Sequence, residues 1–219
     1  MVTPLLSFDF GQYMPPLLRG AGVTIGLVVA SGIAGTIIGL VFGTLRSAPI
    51  APIRWLASIY TNFIRGVPIL IILLFLYYEI PLLFPYATFS QAITAVIGLS
   101  VYAGAYMAEI FRGSIQAIPR GQLEAGEALG LNYVQKMRHV ILPQAMKIAV
   151  PPGIGFLIAL VKATSLVSVI TATDLTRAGR NITSANHQPL TTFLIVAALY
   201  FVISYPLSLL GRWYERRLA

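Results

Sequence analysis

Lys162 and Glu79 are the charges that need explaining first, because each stands well inside an apolar stretch. An ammonium at such a depth costs about 2.5–3.5 kcal/mol even on insertion scales, so Lys162 calls for a partner or a polar cavity. Glu79 lies roughly eleven residues beyond Pro68 and, at about 1.5 Å of rise per residue, reaches a comparable height. The two either form one buried ion pair or share a site that receives a molecule carrying both charges. Tyr78, Thr164 and Ser165 beside them offer hydroxyls for further hydrogen bonds.

A second opposite-charge pair, Arg65 and Glu109, falls near the ends of apolar segments and reads as a structural salt bridge. Catalysis finds no footing: no Ser/His/Asp set, paired carboxylates or metal-ligand grouping gathers at one depth. His139 and His187 are too few and too far apart for a metal site of known spacing and read as surface residues. No GxxxxGK[ST] phosphate loop occurs, so ATP binding by that means is not expected of this chain.

The elements that must position these residues are membrane helices. The chain has 219 residues, 57% hydrophobic and only 10% charged, with a mean hydropathy of +0.81. That leaves too few polar side chains to cover a water-facing surface, and lipid must supply the cover. The net charge of +8 sits at the ends of apolar runs and forms no single stripe, which argues against nucleic acid as a partner. Cysteine is absent, so disulfides and thiolate metal sites are excluded. The first sixteen residues hold Asp9 but no Lys or Arg, so a cleavable signal peptide is not expected.

Five stretches are long enough to cross the roughly 30 Å hydrocarbon core: 17–45, 56–84, 90–111, 149–169 and 190–210. They form one transmembrane domain over 1–219, with a polar loop at 112–147. Arg46 and Arg54 follow the first span, Arg112, Arg120, Lys136, Arg138 and Lys147 the third, and Arg212, Arg216 and Arg217 the fifth. The positive-inside rule puts these three regions in the cytoplasm and the N-terminus outside, with Arg177 and Arg180 the discordant pair. Asp174, Arg177, Arg180 and Asn181 then fall near the outer mouth, as a solvated loop or a contact for an outer protein.

Gly22, Gly26, Gly35, Gly39 and Gly43 give the first span a small-residue face, for close packing within the chain or against a partner subunit. Arg65, Gly66 and Pro68 interrupt the second stretch, so an interfacial helix is expected to end there and the crossing part to begin near Pro68.

The loop itself reads EAGEALGLNYVQKMRHVILP from Glu124 to Pro143. Taken alone, such a polar helical segment could be an amphipathic interfacial helix. Its order, Glu, Ala, a small residue, three more, Gly130, nine more and then VILP, resembles the EAA loop of ABC importer permeases. Gly126 stands where that pattern has its second Ala and Val140 where it has Ile. The likeness extends to FIRGVP at 63–68, AYMAEIFRGSIQAIPRGQLEAGEALG, LPQAMKIAVPP and KATSLVSVI, and covers roughly 17–211. In these runs the chain is similar to the polar amino acid uptake branch, the histidine, glutamine, glutamate and arginine permeases.

The resemblance implies an all-α integral membrane protein with the type I importer permease fold, five transmembrane helices and a cytoplasmic coupling helix. It also implies partners: a second permease subunit, identical or homologous, a cytoplasmic ATPase dimer that holds ATP and Mg, and an external solute-binding protein. The setting would be the lipid of a bacterial inner membrane, and the task amino acid import by alternating access. Gln122, Glu124, Ala125, Gly126, Gly130, Leu142 and Pro143 would carry the coupling to the ATPase. Lys162 would meet a solute carboxylate and Glu79 its ammonium or cationic side chain, with Tyr78, Thr164 and Ser165 adding hydrogen bonds, or else Lys162 and Glu79 pair with each other. The chain departs from the family at Ala163, where Asp is usual, and at Glu79, where Gly is common. A different class, an ion-coupled secondary amino acid transporter or channel, would use Lys162 and Glu79 as a relay.

Overall fold

Asp9 starts the first helix: its carboxylate accepts from the Gln12 amide at 3.1 Å, and α1 runs unbroken over Phe10–Leu45. The computed structural model describes residues 8–84, 86, 88–170 and 172–218. Residues 1–7, on which the signal-peptide reading partly rests, and positions 85 and 87 of the 81–91 connection lie outside the described residues. After α1 come α2 (Ala51–Gly66), α3 (Ile69–Leu83), α4 (Gln91–Gln116), α5 (Arg120–Ala128), α6 (Tyr133–Ile170), α7 (Leu175–Asn186) and α8 (Pro189–Leu218). The described residues contain no strand.

Four of these helices, α1, α4, α6 and α8, are long and apolar enough to cross a membrane. The pair α2 and α3 qualifies together as a broken span, bent by 101°. Val67 at the break is extended (φ −105°, ψ 132°), as the residue before a proline prefers, and Pro68 has no amide to continue the helix. Helix boundaries run past the apolar stretches, most of all in α6, which begins at Tyr133 where hydropathy starts a span at 149. Hydropathy locates lipid-grade residues, whereas backbone hydrogen bonding continues through Lys136, Arg138 and His139.

The core forms around α4. Leu99, Ala103, Met107 and Phe111 of α4 meet Leu27 of α1, Leu73 of α3 and Phe156 and Leu160 of α6 in one buried cluster. The glycine face of α1 splits in two. At Gly35, Gly39 and Gly43 an added Cβ would fall 2.4, 2.3 and 2.8 Å from α4 atoms, so α1 and α4 approach closely only because those side chains are missing. Gly22 and Gly26 have nothing within 4 Å. The outer surface of α8 is bare in the single chain, with Leu194, Phe201, Val202, Leu209 and Leu210 all exposed.

Candidate functional site

All of α5 is exposed except Gly126, and three devices hold this helix in place. Its C-terminus closes through Gly130, whose φ of 71° lies in the left-handed region that glycine enters without a Cβ penalty. The Gly130 amide donates to the Glu127 carbonyl (2.9 Å) and the Leu131 amide to the Gly126 carbonyl (3.0 Å), a Schellman arrangement that satisfies the last turn. Beneath, Gly126 lies against the stem of Lys136, where an added Cβ would sit 3.0 Å from Cγ, and the Lys136 ammonium pairs with Glu127. Asn132 and Gln135 form a reciprocal capping box that starts α6.

Under these residues lies a small apolar floor of Ile118, Met137, Ile141 and Ala145, with Leu142 and Tyr133 packed on it. Leu142 therefore faces inward, while Gln122, Glu124, Ala125, Gly130 and Pro143 are exposed. Gln144 ties Gln122 to α6, its side-chain amide donating to Gln122 Oε1 at 3.2 Å and to the Val140 carbonyl at 2.8 Å. Pro143 has no amide to give, and α6 widens into a π-turn over Met137–Ile141 just before it. The Tyr133 hydroxyl donates to the Ser47 carbonyl at 3.2 Å, which joins the segment to the end of α1.

At the same end of the bundle, Glu109 is the shared acceptor of three guanidiniums. Arg65 Nη1 lies 3.2 Å from Glu109 Oε2 and also stacks over Tyr106, 5.5 Å from its ring centre. Arg46 binds the same oxygen and Arg112 the other one, through Nε at 3.0 Å. Depth along the apolar stretches pairs Glu109 with Arg65 alone, and by charge placement Arg46 reads as an orientation signal. The available clue was that Arg46 ends a span at the same depth.

Lys162 is exposed and lines an open groove of about 510 Å³ between α6 and α8. Tyr200, Ser204, Tyr205 and Ser208 supply the groove's polar lining. Sequence reasoning missed them, although Tyr200, Ser204 and Ser208 recur at four-residue intervals and so mark one polar face of an apolar helix. Glu79 and Tyr78 do not line this groove: they are exposed on α3, and no ion pair joins Glu79 to Lys162. Thr164 is fully buried and donates to the Val161 carbonyl at 2.7 Å, and Ser165 donates to the Lys162 carbonyl at 2.7 Å. Both hydroxyls serve the turn where α6 tightens into a 3₁₀ coil over Thr164–Ile170.

Asp174 is neither a solvated loop residue nor an outer contact. It is fully buried as the N-cap of α7, accepting from the Thr176 and Arg177 amides at 3.1 and 3.0 Å and from Tyr200 at 3.3 Å. Burial pushes its carboxyl up, against the pull of those hydrogen bonds.

The model of the family "Binding-protein-dependent transport system inner membrane component" matches residues 35–219. The chain is 40% identical over 194 residues to the probable amino-acid ABC transporter permease protein YckA of Bacillus subtilis, covering 88% of this chain and 84% of that protein. It is 37% identical over 208 residues to the L-cystine transport system permease protein TcyB of the same organism, with 94% and 88% covered. A chain in the crystal structure of an amino acid ABC transporter with histidines superposes with a TM-score of 0.89 at 34% identity, over 99% of this chain and all of that one.

Proposed function

Because the chain belongs to the binding-protein-dependent transport system inner membrane components, we propose that it carries polar amino acids across the inner membrane as the permease subunit of an ABC importer. It has the type I importer permease fold. Membership favours ATP-driven import over the ion-coupled alternative, in which Lys162 and Glu79 would relay protons or ions.

The observation that carries the mechanism is α5: a short exposed helix, closed by Gly130 and packed beside the apolar floor at the start of α6, so that a pull on α5 would carry the start of α6 with it. A cytoplasmic ATPase dimer, holding ATP and Mg, engages Gln122, Glu124 and Ala125 on this helix. Gly126, Gly130, Leu142 and Pro143 keep its shape. Closure of the ATPase pulls α5, and the bond from Tyr133 to Ser47 passes the displacement to α1. A second permease copy or homologue covers the bare face of α8, an external binding protein delivers the solute, and the N-terminus lies outside.

In this reading Lys162 meets the solute carboxylate in the groove lined by Tyr200 and Ser204. Glu79, Tyr78, Thr164 and Ser165 then contribute only if the second subunit or the opposite state of the cycle brings them to the pathway. The test is Gly130→Pro in the reconstituted transporter, which should keep ATP hydrolysis and lose uptake. Uptake per ATP equal to that of the wild type refutes the lever.

A further inference from the structure

Arg46, Arg54 and Arg112 line a cavity of about 410 Å³ between the end of α1, the start of α2 and the end of α4, together with Trp55, Ser58 and Gln116. Among the described residues no carboxylate lines it. Glu109 lies behind it and draws on Arg46, Arg65 and Arg112, but one carboxylate cannot neutralise four guanidiniums. Even after counting about half a negative charge for each of the α1 and α4 C-termini, a surplus of roughly two positive charges is left. Among the described residues Arg54 reaches no acid, and its Nη1 donates to the Ala48 carbonyl at 3.1 Å. The Nε of Arg46, on a side chain only 11% exposed, is buried without a partner. An unsatisfied buried guanidinium nitrogen at the wall of a polar cavity calls for an anionic acceptor.

The surroundings say where that anion comes from. Trp55, Leu56, Ile59 and Phe63 are exposed along one face of α2, which in a membrane chain lies against acyl chains. Trp55, 69% exposed, stands beside the cavity, where an indole marks the boundary between hydrocarbon and headgroups. A basic pocket at that depth, open beside an acyl-facing helix, fits a phosphodiester whose tails lie along α2.

We infer that this cavity binds the phosphate of an anionic phospholipid headgroup, with Arg54 and Arg46 as its principal donors and the acyl chains on the Trp55 face of α2. The inference rests on the chain lying in a bilayer and is independent of the cargo and of the coupling mechanism.

The test uses the full chain in detergent on a Trp213→Phe background, which leaves Trp55 as its sole tryptophan. Its fluorescence is titrated with phosphatidylglycerol brominated on the acyl chains. The wild type should be quenched at concentrations about fivefold lower than Arg54→Gln. Ser58→Asp, which puts a carboxylate into the same cavity, should show the same loss by a second route. Arg54→Lys should retain binding, and Arg180→Gln on α7 should match the wild type. Brominated phosphatidylcholine should not distinguish the wild type from Arg54→Gln, and soluble glycerol 1-phosphate should not displace the lipid. Equal midpoints for the two lipids, or for the wild type and both cavity variants, overturn the site. Displacement by glycerol 1-phosphate at equal concentration overturns the lipid and makes the cavity a site for a soluble phosphate.

Discussion

The Tyr133 hydroxyl donates to the main-chain carbonyl of Ser47 at 3.2 Å, across 86 residues of sequence. It is a direct polar link between the exposed α5 segment and α1, the helix that packs most extensively on the central α4. Tyr133→Phe removes the donor and keeps the ring on its apolar floor. We expect a stability loss of about 1 kcal/mol, the usual net worth of one hydrogen bond. Uptake per ATP hydrolysed should fall because uptake drops while ATP hydrolysis is retained, and reconstituted vesicles measure both.

Gly39 and Gly22 share a stripe but not an environment. At Gly39 a methyl group would fall 2.3 Å from Met107 Cβ, and the backbone of α4 leaves little room to yield. Gly39→Ala should therefore destabilise by about 1–3 kcal/mol, the ordinary cost of overpacking. Gly22→Ala meets open space and should be neutral or stabilising by up to about 1 kcal/mol through helix propensity. Thermal inactivation midpoints in detergent separate the two.

Lys162→Ala removes the only lysine or arginine of the groove between α6 and α8. Uptake should fall at least tenfold while basal ATP hydrolysis persists, since a carboxylate left facing a site without its cation loses a charge-assisted hydrogen bond of about 1.5–3 kcal/mol. Transport at wild-type rate and affinity would show that Lys162 does not meet the solute. Ser204→Ala should weaken uptake less than Lys162→Ala does.

Asp174 gives a pH dependence whose sign follows from burial. Its folded carboxyl is held above the ordinary aspartate range, so its contribution is fully present when it is protonated and is lost as pH rises through the raised value. Asn caps helices as well as Asp does. Asp174→Asn should therefore flatten the fall in thermal midpoint as pH rises above the ordinary aspartate range. An unchanged slope would place the titration elsewhere.

The placement of the helices was legible in sequence wherever one local property decided it. The apolar runs gave the long spans, Pro68 gave the break in the second, and Gly130 gave the turn that ends α5. Depth arguments brought Arg65 to Glu109 but did not count Arg46 and Arg112 at the same height, because height alone does not say which side chains turn toward one acid. The same arguments put Lys162 and Glu79 at one height and left their directions open.

What the sequence by itself determined is the class: a lipid-covered helical chain with a polar segment between two spans, fixed by composition, by backbone-breaking residues and by the order from Glu124 to Pro143. Only the tertiary structure decided which way each side chain faces. It turned Lys162 toward Tyr200 and Ser204 and away from Glu79, sealed Thr164 and Asp174 inside, and left Arg54 without an acid among the described residues. The reason is geometric. Hydropathy and spacing fix a residue's height along a helix, whereas the rotation of that helix is set by packing, here by glycines 35, 39 and 43 letting α1 lie close against α4.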